Sequence, residues 1–171
     1  MVPILATWAF VALTPGLGGA HPNHVRAVAD DHVRLRLEPG WHGRVTHAGV
    51  GYNPAGLAVL TAANFRLPDS ATECDGGGLL PRLSRREAIV RIYDYSGATE
   101  PGFRPVAVVR PDPIRPVQDS ARRTRGFAQS RVRFAGRALA VLVSYGARHP
   151  PAATLRAVRR ILASVSPIGT G

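Results

Sequence analysis

The stretch that decides the fold reads FAQSRVRFAGRALAVLVSY over residues 127–145. Two runs rich in apolar and β-forming residues flank Ala135-Gly136, a pair suited to a two-residue hairpin loop. That loop pairs Val132 with Leu139, and the same register gathers the large apolar side chains on one face of the hairpin. The shared face consists of Phe134, Val132, Leu139, Val141 and Val143. We therefore predict an antiparallel hairpin with one buried face.

A helix is predicted directly after this hairpin. His149-Pro150-Pro151 favours a helix start, because proline suits the first helical turn. We expect Pro167 to end the helix. The apolar stripe, at helical spacing, consists of Leu155, Val158, Ile161, Leu162 and Val165. Arginines fall between these positions, which is the pattern of an amphipathic helix that packs on a sheet.

Strands are predicted in the preceding half of the chain. Val33, Leu35 and Leu37 alternate with polar residues, as in a half-buried strand. A turn at Pro39-Gly40, anchored by Trp41, leads to a short strand over Gly43 to His47. Two further strands are predicted at Leu57 to Phe65 and at Ile89 to Tyr95, the second from its β-branched and aromatic residues.

The segments between these strands are predicted to be irregular. Asp69 to Gly78 is a loop, and Leu79 to Arg86 holds at most one helical turn, although Ser84 and Glu87 have capping-box spacing. Five prolines exclude a long helix or central strand between Gly97 and Arg125. A short edge strand is expected at Val106 to Val109.

These elements define the fold class as α+β: a mainly antiparallel sheet with a C-terminal amphipathic helix packed on one face. The 171 residues are 45% hydrophobic, which suits one globular domain. We divide the chain into a signal peptide at 1–20, a linker at 21–31, a single domain at 32–166 and a tail at 167–171.

The first twenty residues, MVPILATWAFVALTPGLGGA, resemble a secretory signal. An apolar run is followed by Pro15 and Gly16, and Gly18 and Ala20 are the small residues expected before a cleavage site. The run is too short for a transmembrane helix, which needs about 20 apolar residues. A basic start is missing, and a buried strand or helix is the alternative. We expect export to the cell envelope or beyond, or a cytoplasmic protein if the segment is not a signal.

The chain is strongly basic, with a formal net charge of +11 and arginine as every basic residue. Either a GC-rich coding bias scatters the arginines over a solvated surface, or they converge on an anion-binding groove. The densest cluster is Arg122, Arg123 and Arg125, which we name as possible anion contacts. Phe127 beside them could stack on a base.

Catalytic, cofactor and metal motifs receive no residue assignment from the sequence. Cys74 lies between two carboxylates, which oppose thiolate formation, and the glycines after it lack the Lys-Ser/Thr of a phosphate-binding loop. Cleavage after Ala20 would expose His21, which with His24 could bind copper through its amine and imidazole. The prediction remains no cofactor and no metal, with an enzyme disfavoured.

The element order and several short motifs carry one resemblance. Pro39-Gly40-Trp41, the strand ending in Asn64–Pro68, the loop with Cys74, and the final hairpin and helix resemble the Mog1/PsbP-type α+β layout. They also resemble uncharacterised exported proteins of high-GC bacteria. This resemblance implies a fold and transfers no functional residues.

The leading functional hypothesis is a non-enzymatic accessory or binding domain that is exported and acts at the cell envelope. Its partner would be an anionic polymer, a lipid surface or an envelope protein. The alternative is a basic nucleic-acid-binding protein that uses an arginine-rich surface.

Overall fold

The computed structural model describes residues 26–50, 53–68, 83–95, 102–118 and 123–169. Within these ranges the chain forms ten strands and one helix. The first strands are β1 (Ala27–Ala29), β2 (Val33–Arg36), β3 (His42–Val50), β4 (Asn53–Ala63) and β5 (Ala88–Asp94). The later elements are β6 (Arg104–Pro105), β7 (Arg115–Gln118), β8 (Thr124–Phe134), β9 (Arg137–Tyr145), α1 (Ala152–Ala163) and β10 (Ser166–Pro167).

The larger sheet has the order β3-β4-β5-β9-β8-β6, with β7 also paired to β8. Its pairings are antiparallel except that between β6 and β8. With α1 packed on it, the sheet confirms the predicted α+β class. The four strands predicted at Val33–Leu37, Gly43–His47, Leu57–Phe65 and Ile89–Tyr95 are also present. β3 extends beyond its predicted bounds at both ends, whereas β4 begins before Leu57 and ends at Ala63, before Phe65.

The predicted hairpin register is confirmed. Val132 pairs with Leu139, and Phe134 pairs with Arg137. Ala135 and Gly136 have φ angles of 48° and 79°, so both central residues of the turn are left-handed. Such a turn follows the right-handed twist of its two strands, which is why a two-residue loop closes this hairpin.

The core lies between one face of the sheet and α1. The predicted hairpin face is part of it, with Val132, Leu139, Val141 and Val143 buried and Phe134 partly buried. On the helix, Val158, Ile161 and Leu162 are fully buried, as the stripe predicted. Leu155 is only half-buried, because it lies at the side of α1 next to a surface cavity.

The end of α1 corrects the sequence prediction. The helix ends at Ala163, before Pro167. The Ser164 hydroxyl donates to the carbonyl of Ile161 at 2.7 Å and accepts the backbone N–H of Arg36 at 2.8 Å. These bonds turn the chain toward β2, so Pro167 lies in β10 and pairs with Val33.

A second, three-stranded sheet has the order β1-β2-β10. Its β1 lies within segment 21–31, the predicted linker, and Val28 on that strand is buried in the core. Three residues are too few for an alternating pattern to show in the sequence. Ordered structure therefore precedes the predicted domain start at His32.

The predicted edge strand at Val106 to Val109 is wrong. The chain pairs with β8 on either side of it, through β6 and through β7. Val109 is instead buried in the core, so its apolar character comes from packing and not from strand pairing. The Asp69–Gly78 loop lies outside the described residues.

The helix that the structure describes is not long and apolar enough to span a membrane.

Tyr145, at the end of β9, should ionise unusually late. Burial raises its pKa to about 12 from the ordinary 10.0, while the charge of Arg159 opposes that rise. The folded protein favours the neutral phenol more strongly than the unfolded chain does. The free energy of unfolding is therefore unaffected below pH 10 and falls by about 3 kcal/mol as the pH rises from 10 through 12. A spectrophotometric titration should show a late tyrosinate transition that belongs to Tyr145. The Tyr145→Phe variant should lack it; an unchanged titration would contradict the assignment.

Candidate anion-binding groove

Three distant segments meet at one end of the larger sheet because of its register. Ala88 at the start of β5 pairs with Tyr145 at the end of β9. Gly126 near the start of β8 pairs with the same Tyr145. The chain before β5, the chain before β8 and the chain after β9 therefore converge at this edge.

Arg125 ties these segments together. Its side chain is buried, with the residue only 5% exposed. One terminal nitrogen of the guanidinium donates to the carbonyl of Leu83 at 2.5 Å and to the carbonyl of Gly146 at 2.6 Å. A buried charge is tolerated only when it is well hydrogen-bonded, and these two carbonyls lie on two different segments. Arg125 therefore fastens the start of β8 to both neighbours.

The turn at residues 84–87 is held from several sides. The Ser84 backbone N–H donates to the Glu87 carboxylate at 2.7 Å, and the Glu87 backbone N–H donates to the Ser84 carbonyl at 3.0 Å. Asn64 accepts the Ala88 N–H and donates to the Arg86 carbonyl, both at 2.8 Å. These bonds fix the backbone that carries Arg85 and Arg86. The capping-box spacing thus closes a tight turn and starts no helix.

Gly146 allows the segment after β9 to approach this turn closely. A Cβ atom placed on Gly146 would overlap the carbonyl oxygen of Ser84 and lie 2.6 Å from its carbonyl carbon. The Gly146 N–H also donates to the Glu87 carbonyl at 2.9 Å. Since backbone atoms cannot move aside as a side-chain tip can, only glycine fits between these two segments.

The converging segments enclose an open cavity of about 940 Å³, which we call the arginine groove. Its floor includes the buried Arg125, and the first residues of the chain leading into α1 form one wall. The basic residues that line it are Arg85, Arg86, Arg123, Arg125, Arg148 and His149. Apart from Arg125, these residues are exposed, so their charges are accessible to solvent at this edge of the sheet.

Two smaller cavities continue the groove along α1. The first, about 400 Å³, shares Arg148 and His149 with the arginine groove. The second, about 670 Å³, shares Ile114 and Leu155 with the first. It brings two more exposed arginines, Arg110 and Arg159, to the same side of the molecule. We call these two cavities together the helix track.

Among the acidic residues of the described chain, Glu87 lies on the turn that carries Arg85 and Arg86, and Asp112 lies beside Arg110, whereas the others lie elsewhere. Glu38 pairs with Arg160, and Asp94 pairs with Arg137. Asp112 lines the helix track and pairs with Arg104. Across the described ranges, no ion pair involves Arg85, Arg86 or Arg148. The surface is therefore a region of concentrated positive charge, which attracts anions.

The predicted anion contacts have different positions. Arg123 is exposed and lines the groove. Arg125 also lines the groove but is buried, and its guanidinium is hydrogen-bonded to backbone carbonyls. Arg122 lies outside the described residues. Phe127 does not line the groove. The sequence reasoning missed the Arg85-Arg86 pair and Arg148; the signal that could have found them is their position directly beside the ends of β5 and β9.

Metal binding is the other kind of site that the histidines and carboxylates of this chain raise. The described part of the chain contains no group of three or more His, Cys, Asp or Glu side chains that could hold a metal ion. His42 and His47 lie on β3 opposite Ala63 and Ala58. The copper hypothesis depends on His21 and His24, and the question of a reactive thiol depends on Cys74. These three residues lie outside the described ranges.

Comparison of the chain with protein-family models, with curated proteins and with solved structures finds no significant match. The resemblance to the Mog1/PsbP-type layout therefore stays a prediction.

Arg125 and Arg123 should differ sharply in their contribution to stability. We expect Arg125→Ala to lower the free energy of unfolding by about 3 kcal/mol, because two buried carbonyls lose a charged donor. Arg123→Ala, on the exposed wall, should lower it by no more than about 1 kcal/mol, the usual range for interactions of an exposed arginine. Urea unfolding measures both. Equal and small effects would contradict the proposed tie between segments.

Proposed function

We propose that this protein is a non-enzymatic binding domain that holds an anionic partner in the arginine groove. The proposal rests on one observation: arginines from three distant segments line a single cavity at one end of the sheet. Guanidinium groups bind phosphate and carboxylate oxygens through paired, charge-assisted hydrogen bonds. Several such groups around one concave surface suit a partner that carries several negative charges.

The rigidity of the groove supports the same conclusion. The hydrogen bonds of Asn64 and Glu87 fix the turn that carries Arg85 and Arg86. Arg125 fixes this turn to the segment that carries Arg148. A preformed site loses less conformational entropy when it binds, so more of its electrostatic attraction contributes to affinity.

A coding bias toward arginine does not by itself account for this arrangement. Exposed arginines also occur elsewhere, for example Arg34 on β2 and Arg133 on β8. Bias explains why the basic residues are arginines. It does not explain why five of them line one cavity whose surrounding segments are joined by the hydrogen bonds of Arg125.

We further propose that the domain is exported and acts at the cell envelope. The apolar start and the small residues Gly18 and Ala20 support this location. Anionic polymers and lipid head groups of the envelope would then be available as partners. The second candidate is a nucleic-acid-binding protein, which the same groove favours because a phosphate backbone is a regular series of negative charges.

Neutralising the groove should weaken binding to a polyanion and reduce its salt dependence. We expect the triple variant Arg85→Gln, Arg86→Gln, Arg148→Gln to lower the slope of log K against log salt by about 2, since each lost phosphate contact removes about 0.7. Titration of long-chain inorganic polyphosphate at several salt concentrations measures this slope.

A matched variant removes the same charge elsewhere. Arg34→Gln, Arg36→Gln, Arg133→Gln changes three exposed arginines outside the groove and should leave the slope nearly unchanged. If both triple variants bind polyphosphate equally, general charge attraction accounts for binding and the groove has no special role.

The location has its own test. If the leader is cleaved after Ala20, the secreted protein begins with His21, and N-terminal sequencing of the extracellular or envelope fraction should read HPNHV. An intact Met1 in the cytoplasmic fraction would contradict export. The binding proposal would stand in either case, because it depends on the groove alone.

A further inference from the structure

We infer that the arginine groove and the helix track bind one linear polyanion, which is recognised through a repeating phosphate backbone and not through bases. This inference rests on the proposed function and names the class of partner. It follows from the shape of the surface, from the hydrogen bonds that fix the backbone at Arg110, and from the chemistry of the residues that line the groove and the track.

The shape is that of a track. The smallest cavity shares lining residues with the arginine groove on one side and with the larger cavity of the helix track on the other. The three cavities therefore adjoin in a row that runs from the groove to the side of α1. Leu155, Arg159 and Ala163 line the last cavity, and they are four residues apart along one side of the helix. At 1.5 Å per residue this side extends about 12 Å. One phosphate group is much smaller than this, whereas an extended chain would reach arginines at both ends.

The far end of the track is also held in place. Ser130 is buried on β8, and its hydroxyl donates to the Arg110 carbonyl at 3.2 Å and accepts the Asp112 N–H at 2.9 Å. These bonds fasten the backbone that carries Arg110 to the sheet. The carboxylate of Asp112 is engaged by Arg104, which reduces its repulsion of an approaching anion.

The residues that line the groove and the track favour recognition of the phosphate charges of a polymer over recognition of bases. Groove and track offer arginines, prolines and aliphatic side chains, together with His149. Tyr145 lines the track but is only 1% exposed, so its ring is not available for stacking. Base-stacking platforms depend on exposed aromatic rings. A bilayer is flat, whereas the exposed arginines lie along a row of adjoining cavities, so a narrow chain fits better than a membrane surface.

The experiment compares phosphate chains of increasing length, from pyrophosphate to about 16 units, the upper range of site sizes for single-strand grooves. Affinity should rise with length and then level off. The double variant Arg110→Gln, Arg159→Gln should lower the affinity for long chains about tenfold or more and leave pyrophosphate binding unchanged. Arg34→Gln, Arg133→Gln is the charge-matched control, and thermal unfolding checks that each variant is folded.

The outcomes separate this inference from the proposed function. If the track variant behaves like its control while the groove triple variant still weakens pyrophosphate binding, the continuous track is wrong and the anion groove stands. If neither short nor long phosphate chains bind at low salt, both fail.

A last comparison identifies the source of the phosphates. An oligomer of dT and an abasic phosphodiester oligomer of equal length should bind equally well if the backbone alone is recognised. Clearly tighter binding of the dT oligomer would overturn this inference in favour of nucleic acid. Vesicles of anionic phospholipid should bind less tightly than the long polymer; equal or tighter binding would overturn it in favour of a membrane surface.

Discussion

The pairing of β8 with β9 positions the rest of the molecule. The left-handed turn at Ala135 and Gly136 permits one register, and a shift by a single residue would expose the buried face of both strands. β9 also pairs with β5, and this second register places Ala88 opposite Tyr145 at the end of β9. The groove is a consequence, because its three segments are the chain ends that these two registers bring to one edge.

The groove combines one buried and several exposed arginines, and the two kinds have opposite physical roles. Arg125 is stabilised by two carbonyl groups at short distance, so its charge strengthens the fold. The exposed Arg85, Arg86 and Arg148 repel one another, which lowers stability slightly in the absence of a partner. The hydrogen bonds around the turn keep these positive charges close together despite that repulsion.

The sequence predicted the hairpin, its register and the buried stripe of the helix, because these depend on local periodicity and on turn chemistry. It did not predict that Arg85 and Arg148 line one cavity, since their proximity depends on the pairing of β5 with β9, which sets Ala88 opposite Tyr145, 57 residues further along the chain. Clustering along the sequence suggested Arg123 and Arg125 alike. The structure separates them by burial, which no local pattern encodes. The short β1 and β10 were missed because two or three residues carry no period.

The distribution of acidic residues explains how a uniformly arginine-rich chain acquires a localised field. In the described part, the carboxylates of Glu38, Asp94 and Asp112 pair with arginines outside the arginine groove. Glu87, at its border, accepts a backbone N–H within its own turn. Within the described residues, positive charge is therefore offset at these places, while Arg85, Arg86 and Arg148 form no ion pair. Composition sets the number of arginines, but topology decides which of them act together.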